Sequence, residues 1–222
     1  EVLGGDRRGG HGPYLFCIFA CIGCYTGYNV PDGCRYSTAS VPPFAGIRRA
    51  TALSYGFMTS TSTYKLWQKV SKNGTSTLGR GLFSIAYALK APYFRTVFPR
   101  IREVTPERSV VRLGKWWGVQ NHIGTFHVIA ALNGGEAAMG ALCEAAVPTT
   151  HRWPPRGMRA DYPTKSTGGL TVTATADWPD FSTITRETGG QLVTVNLQLL
   201  DDAGAEPVTA EIDVWVSAKK PR

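Results

Sequence analysis

The sequence predicts an α+β fold: a five- or six-stranded antiparallel sheet wrapped around one long central helix, with further helices ahead of it. Three observations lead there. Residues 128–145 form a run of Ala, Gly, Leu, Ile and Met with few polar residues, the pattern of a helix buried on most sides. Four strand-like segments follow, separated by turn signals, which reads as an antiparallel meander. One strand precedes the run, so the helix is inserted between the first strand and the others.

Taken in order, residues 1–57 read differently from the rest. They hold Cys17, Cys21, Cys24 and Cys34, are rich in Gly, Arg, Pro and Ser, and contain no methionine before Met58. Although the Cys17-x3-Cys21-x2-Cys24 spacing is similar to the cluster motif of radical SAM enzymes, no sequence for that family's barrel follows. Residues 1–57 are expected to be a disordered or spurious N-terminal extension, and residues 58–222 the domain. Residues 62–70 place Tyr64, Leu66, Trp67 and Val70 at helical spacing, ended by Asn73-Gly74. Residues 80–89 give a second amphipathic helix, stopped by Ala91-Pro92. These two helices are expected to cap the sheet.

Residues 101–113 read as one strand with a bend at Thr105-Pro106-Glu107, and residues 115–127 as a polar loop bearing glycines. After the central helix, strands are expected over 158–167, 170–177, 191–200 and 209–217. The turns are Thr167-Gly168-Gly169, Thr188-Gly189-Gly190 and Asp201-Asp202-Ala203-Gly204.

Composition narrows the function. Lys and Arg number 24 against 16 Asp and Glu, a net charge of +8 that suits an anionic partner. The charge is scattered, without a dense basic block, so nucleic acid is not expected. No run of about 18 apolar residues exists, so neither a spanning helix nor a membrane partner is expected. Beyond residue 34 the only cysteine is Cys143, which fits a reducing compartment and a cytoplasmic protein. His11, His122, His127 and His151 lack the paired spacing of metal ligands.

Glu136 is the sharpest chemical signal. It sits among Gly134, Gly135, Ala137, Ala138 and Met139, where a buried carboxylate must be paired, protonated or functional. The residues alone do not choose between a structural pair and a catalytic group. His127 stands where the loop becomes the helix, with Asn121 and His122 in the same loop. Helix-start amides there would face an anion or a developing oxyanion, and a carboxylate further along could activate water or attack a thioester. Equally, His127 and Asn121 could only satisfy loop backbone groups. Arg152, Arg156, Arg159 and Lys165 are either phosphate contacts or solvated charges. Trp116 and Trp117 either line a pocket or pack beneath the loop.

The pattern Asn121-x2-Gly124-x2-His127-x8-Glu136 resembles the signature of hotdog-fold thioesterases of the phenylacetyl-CoA-thioesterase type. Asn-His-Ile-Gly-Thr-x-His, with the later Thr150-His-Arg-Trp-x-Pro-x-Gly-Met158, resembles an uncharacterised branch of that superfamily. The resemblance runs from about Tyr64 to Lys219 and implies a hotdog fold and hydrolysis of an acyl-CoA or acyl-carrier thioester. It implies Glu136 as nucleophile or general base, with Asn121 and His127 orienting substrate or water. Gly124, Thr125, Asn133, Arg156 and Arg159 are the implied substrate contacts. No cofactor is implied beyond coenzyme A as part of the substrate, and a homodimer or dimer of dimers is. This chain departs from the better-known relatives in having His127-Val128-Ile129 where they have His-Gly-Gly. That departure leaves a non-catalytic acyl-CoA or acyl-carrier binding module as the alternative. A hydratase or dehydratase of the same fold carries a different motif and ranks below both.

Overall fold

The computed structural model describes residues 60–220. The expectation for residues 1–57 lies outside the described residues. Two helices open the described part, α1 (Ser62–Ser71) and α2 (Thr77–Lys90). Each starts on a hydroxyl cap that accepts an otherwise orphaned backbone N–H. Thr61 Oγ1 accepts from Tyr64 N at 3.1 Å and Ser76 Oγ from Gly79 N at 3.0 Å. The chain leaves α1 through Lys72, Asn73 and Gly74, all at positive φ, a left-handed exit of the kind Asn-Gly favours.

The sheet has seven strands, all pairings antiparallel: β1 (Arg100–Val104), β2 (Arg108–Leu113), β3 (His151–Arg152), β4 (Pro155–Asp161), β5 (Leu170–Ala176), β6 (Gln191–Asp201) and β7 (Val208–Ala218). The order is β1-β2-β5-β6-β7, and β3 and β4 both pair with the outer edge of β7. The central helix α3 (Val128–Ala146) connects β2 to β3. An α+β hotdog architecture with one central helix and N-terminal helices is thus what the chain forms.

Two differences from the sequence expectation have physical causes. The single bent strand over 101–113 is a hairpin. Thr105 Oγ1 accepts from the amides of Glu107 and Arg108, at 3.3 and 3.1 Å, and this side-chain turn reverses the chain completely. The strand expected over 158–167 is displaced to Pro155–Asp161. Tyr162-Pro163 then takes the chain out of the ladder, since proline has no N–H to give.

One face of the sheet is apolar. Val111, Leu113, Leu170, Val172, Val195, Leu199, Ile212 and Val214 are all buried. α3 lies on that face and comes unusually close. A Cβ on Gly134 would fall 2.2 Å from Leu113 Cδ1, and one on Gly135 would fall 2.8 Å from Leu197 Cδ1. A side chain at either position would force a leucine to shift, which accounts for the Gly-Gly pair in the middle of a helix. Ser109 Oγ donates to Ala138 O at 2.6 Å and ties β2 to the helix.

α1 and α2 cover the opposite side of α3, toward its C-terminal end. Tyr87 OH donates to Ala137 O at 3.2 Å, and Thr61 Oγ1 to Glu144 O at 2.7 Å. Trp67 meets Phe83 edge-on at 5.1 Å, and Phe83, Tyr87 and Phe94 stack in sequence. Each such buried aromatic contributes on the order of 1.5–3 kcal/mol.

Candidate active site

The loop ahead of α3 is organised by Asn121. Its Oδ1 accepts from the amides of Ile123 and Thr125, at 3.1 and 3.0 Å, while its Nδ2 donates to Thr125 Oγ1 at 2.7 Å. Both ends of this amide, and the Thr125 hydroxyl, are therefore engaged in closing the loop. Gly124 makes the turn at φ +76°, where a Cβ would meet nothing closer than 3.9 Å. Backbone conformation, not crowding, makes glycine the suitable residue there.

His127 is the N-cap of α3. Its Nδ1 accepts from Ile129 N at 3.2 Å, and its own backbone N donates to Val119 O at 2.7 Å. A neutral ring in this arrangement carries its hydrogen on Nε2, and the His127 ring is exposed. With Ile129 capped, the first-turn amides of Val128 and Ala130 still have no intrahelical acceptor. They give the helix start a positive end suited to an oxyanion or carboxylate.

A cleft of about 570 Å³ opens beside this helix start, with Asn121, Thr125, Val128, Ala131, Tyr162 and Lys165 in its walls. It is framed by the organised loop, the first turns of α3, the segment between β4 and β5, and Pro207-Val208 at the start of β7. Lys165 is the cation here. The expected strand over 158–167 had concealed that residues 162–166 form a loop on this cleft. Nothing in the local sequence marks Pro207 as its opposite wall.

Glu136 is half-buried, not enclosed. Its sequence neighbours Gly134 and Gly135 face the sheet, while Glu136 sits on the helix side shared with Leu132, Asn133 and Gly140. Among the described residues its carboxylate makes no hydrogen bond or ion pair. Asn133, one turn earlier, is buried. Its Nδ2 donates to Tyr93 O at 3.3 Å and Thr96 Oγ1 at 3.0 Å, and its Oδ1 is buried without a partner among the described residues. One turn beyond Glu136, Tyr87 is packed over Gly140. Burial drives the Tyr87 phenol far above its ordinary range, and the Glu144 carboxylate adds to this ahead of smaller effects of Cys143 and Glu136.

The residues singled out in the sequence do not all come together. Asn121, Thr125 and the start of α3 share the cleft. Glu136 lies about 140° round the helix from Ala131, and it is not among the residues that line the cleft. Arg156 and Arg159 lie on the face of the sheet away from α3. Arg159 donates to Asp213 Oδ2 at 2.6 Å and Glu211 Oε2 at 2.9 Å, and its guanidinium holds the Asp213 carboxyl below the usual range. Arg156 stacks over Trp215 at 5.6 Å. Among the described residues no group of three or more His, Cys, Asp or Glu side chains could hold a metal ion.

Known structures share this architecture. A structural-genomics crystal structure, APC5556, is 32% identical with a TM-score of 0.58, covering 71% of this chain and 99% of its own. PA5026 from Pseudomonas aeruginosa, a protein of unknown function described as a probable thioesterase, is 19% identical with a TM-score of 0.54. That comparison covers 60% of this chain and 91% of PA5026. A mutant of the thioesterase PA1618 from the same organism is 12% identical with a TM-score of 0.51, covering 61% of this chain and 94% of its own. At their identities the two Pseudomonas proteins share the fold. No curated protein matches the chain. Residues 79–216, from α2 to the end of the last strand, match the family described as a domain of unknown function, DUF4442, and this hotdog-fold chain belongs to that family.

Proposed function

We propose that the chain hydrolyses an acyl thioester, with Glu136 as the carboxylate that activates water or attacks the carbonyl carbon. The observation that carries this reading is Glu136 itself: a half-buried carboxylate on a largely apolar helix, without a hydrogen bond or ion pair among the described residues. A structural carboxylate in such surroundings is normally paired. As general base it takes a proton from water, and the hydroxide adds to the carbonyl carbon. The C–S bond then breaks, and Glu136 returns its proton to the departing sulfur, which leaves as the thiol. The helix-start amides of Val128 and Ala130 favour the oxyanion formed on the way. The cleft holds the carrier arm, with Lys165 beside its phosphates and Asn121 keeping the loop in shape. Because Glu136 and the cleft open on different sides of one α3, the reading includes a homodimer in which two copies complete each site. An acyl-CoA is the substrate proposed.

The second reading, a module that binds acyl-CoA or an acyl carrier without turnover, draws on two observations. The Asn121 amide is fully engaged in its own loop, and β-branched Val128 and Ile129 stand at the helix start. The test measures free thiol released from a panel of acyl-CoAs by the parent chain and by Glu136→Gln. Hydrolysis that falls about 10²-fold or more in a folded Glu136→Gln protein supports the carboxylate role. Binding of acyl-CoA without hydrolysis by the parent overturns the enzyme reading in favour of the module.

A further inference from the structure

α2 is apolar on two faces. Phe83, Tyr87 and Ala88 face inward and are buried. On the outer face Leu78, Leu82, Ile85 and Leu89 are 75%, 53%, 61% and 58% exposed. Their spacing sets them in one stripe along the whole helix, with Gly81 and Ala86 between them. A surface helix ordinarily turns charged residues outward, and this stripe contains none. Stripes of this extent on an otherwise polar surface mark interaction sites.

The surroundings identify the partner. Residues 60–102 carry eight Lys or Arg and no Asp or Glu. That segment alone accounts for a charge equal to the net +8 of the chain. α1 lies alongside α2 and exposes Lys65, Lys69 and Lys72. β1, whose Ile101 N donates to Ser84 Oγ of α2 at 2.8 Å, exposes Arg100 and Arg102. Among the described residues none of these five makes an ion pair. A second copy meeting this one through the same face would set cation against cation. An apolar stripe on a helix whose neighbours expose cations without ion pairs among the described residues is complementary to anionic headgroups above acyl chains.

We propose that α2 docks the protein onto an anionic lipid bilayer, its apolar stripe entering the headgroup–acyl boundary and the lysines and arginines of the neighbouring elements meeting the headgroups. This is independent of the thioesterase reading. It concerns a helix lying on the surface, since among the described residues no helix is long and apolar enough to cross a membrane. The expectation of no membrane partner rested on the lack of a spanning run and does not bear on surface docking.

The test is co-sedimentation of the full chain with vesicles of phosphatidylcholine alone or of equimolar phosphatidylcholine and phosphatidylglycerol. The expected result is binding to the mixed vesicles only. It should weaken at least about tenfold in Leu82→Gln/Ile85→Gln, in Lys65→Gln/Lys69→Gln/Lys72→Gln, and in high salt. All substituted positions are exposed, and circular dichroism melting confirms that both variants fold. Failure of the parent to bind mixed vesicles overturns the proposal, as does undiminished binding by both variants. An oligomer of the parent that the leucine variant dissolves, without vesicle binding, makes the stripe a protein interface and equally overturns it.

Discussion

The two halves of α3 are built from the same small apolar residues but live in different surroundings. From Ala137 onward the helix has the sheet on one side and α1 and α2 on the other, and Ala137 to Cys143 are all buried. Ahead of that the sheet covers one side and the segment with Tyr93 and Thr96 reaches the other at Asn133, while His127 and Ile129 are exposed and Glu136 is half-buried. The closed half holds the fold together. The open half carries the capping histidine, the helix-start amides and the Glu136 carboxylate, which has no partner among the described residues. Stability and candidate chemistry are thus separated along one helix, and substitutions should separate them too.

The largest stability effect is expected in the closed half. Leu142 is fully buried, and Leu142→Ala should cost about 2–5 kcal/mol by urea unfolding, from lost transfer energy and the cavity left behind. Gly134→Ala should follow, at about 1–3 kcal/mol, because its methyl collides with the fully buried Leu113. The sign is informative, since Ala for Gly in an open helix would stabilise by about 1 kcal/mol. A gain in stability would show that α3 does not approach the sheet this closely. Ser109→Ala removes the buried bond to Ala138 O and should cost about 0.5–1.5 kcal/mol.

How far the sequence reveals these two halves depends on where each signal lies. The alternating strands β5, β6 and β7 and the ends of α3 were legible to within a residue or two, because their patterns are local. Thr105 reads as a bend in the sequence because the hydroxyl that closes the hairpin leaves no glycine or asparagine signature. Glu136 was expected to be buried because its sequence neighbours are small and apolar, yet a 3.6-residue period turns those neighbours toward other surfaces. Arg159 looked free because Glu211 and Asp213 lie some fifty residues away in the chain. The second apolar face of α2 was hidden in the same way. Leu82 and Ile85 sit beside the equally apolar Phe83 and Tyr87, and only packing shows which of them α3 and the sheet cover.

The smallest stability effect should come from the two carboxylates of α3, and it makes the sharpest comparison. Glu144, in the closed half, faces Lys90 Nζ at 3.4 Å. Exposure of that lysine limits the pair to about 0–1 kcal/mol, so Glu144→Gln should lower stability within that range. Glu136 makes no such pair among the described residues, so Glu136→Gln should leave stability within about 0.5 kcal/mol of the parent or raise it, since a neutral amide is easier to half-bury than a charge. Urea unfolding of both variants checks this. If Glu136→Gln proves clearly the more damaging, Glu136 has a structural partner, and its carboxylate no longer points to thioester chemistry. If it is neutral while hydrolysis is lost, the carboxylate is held in the open half of the helix for its chemistry alone.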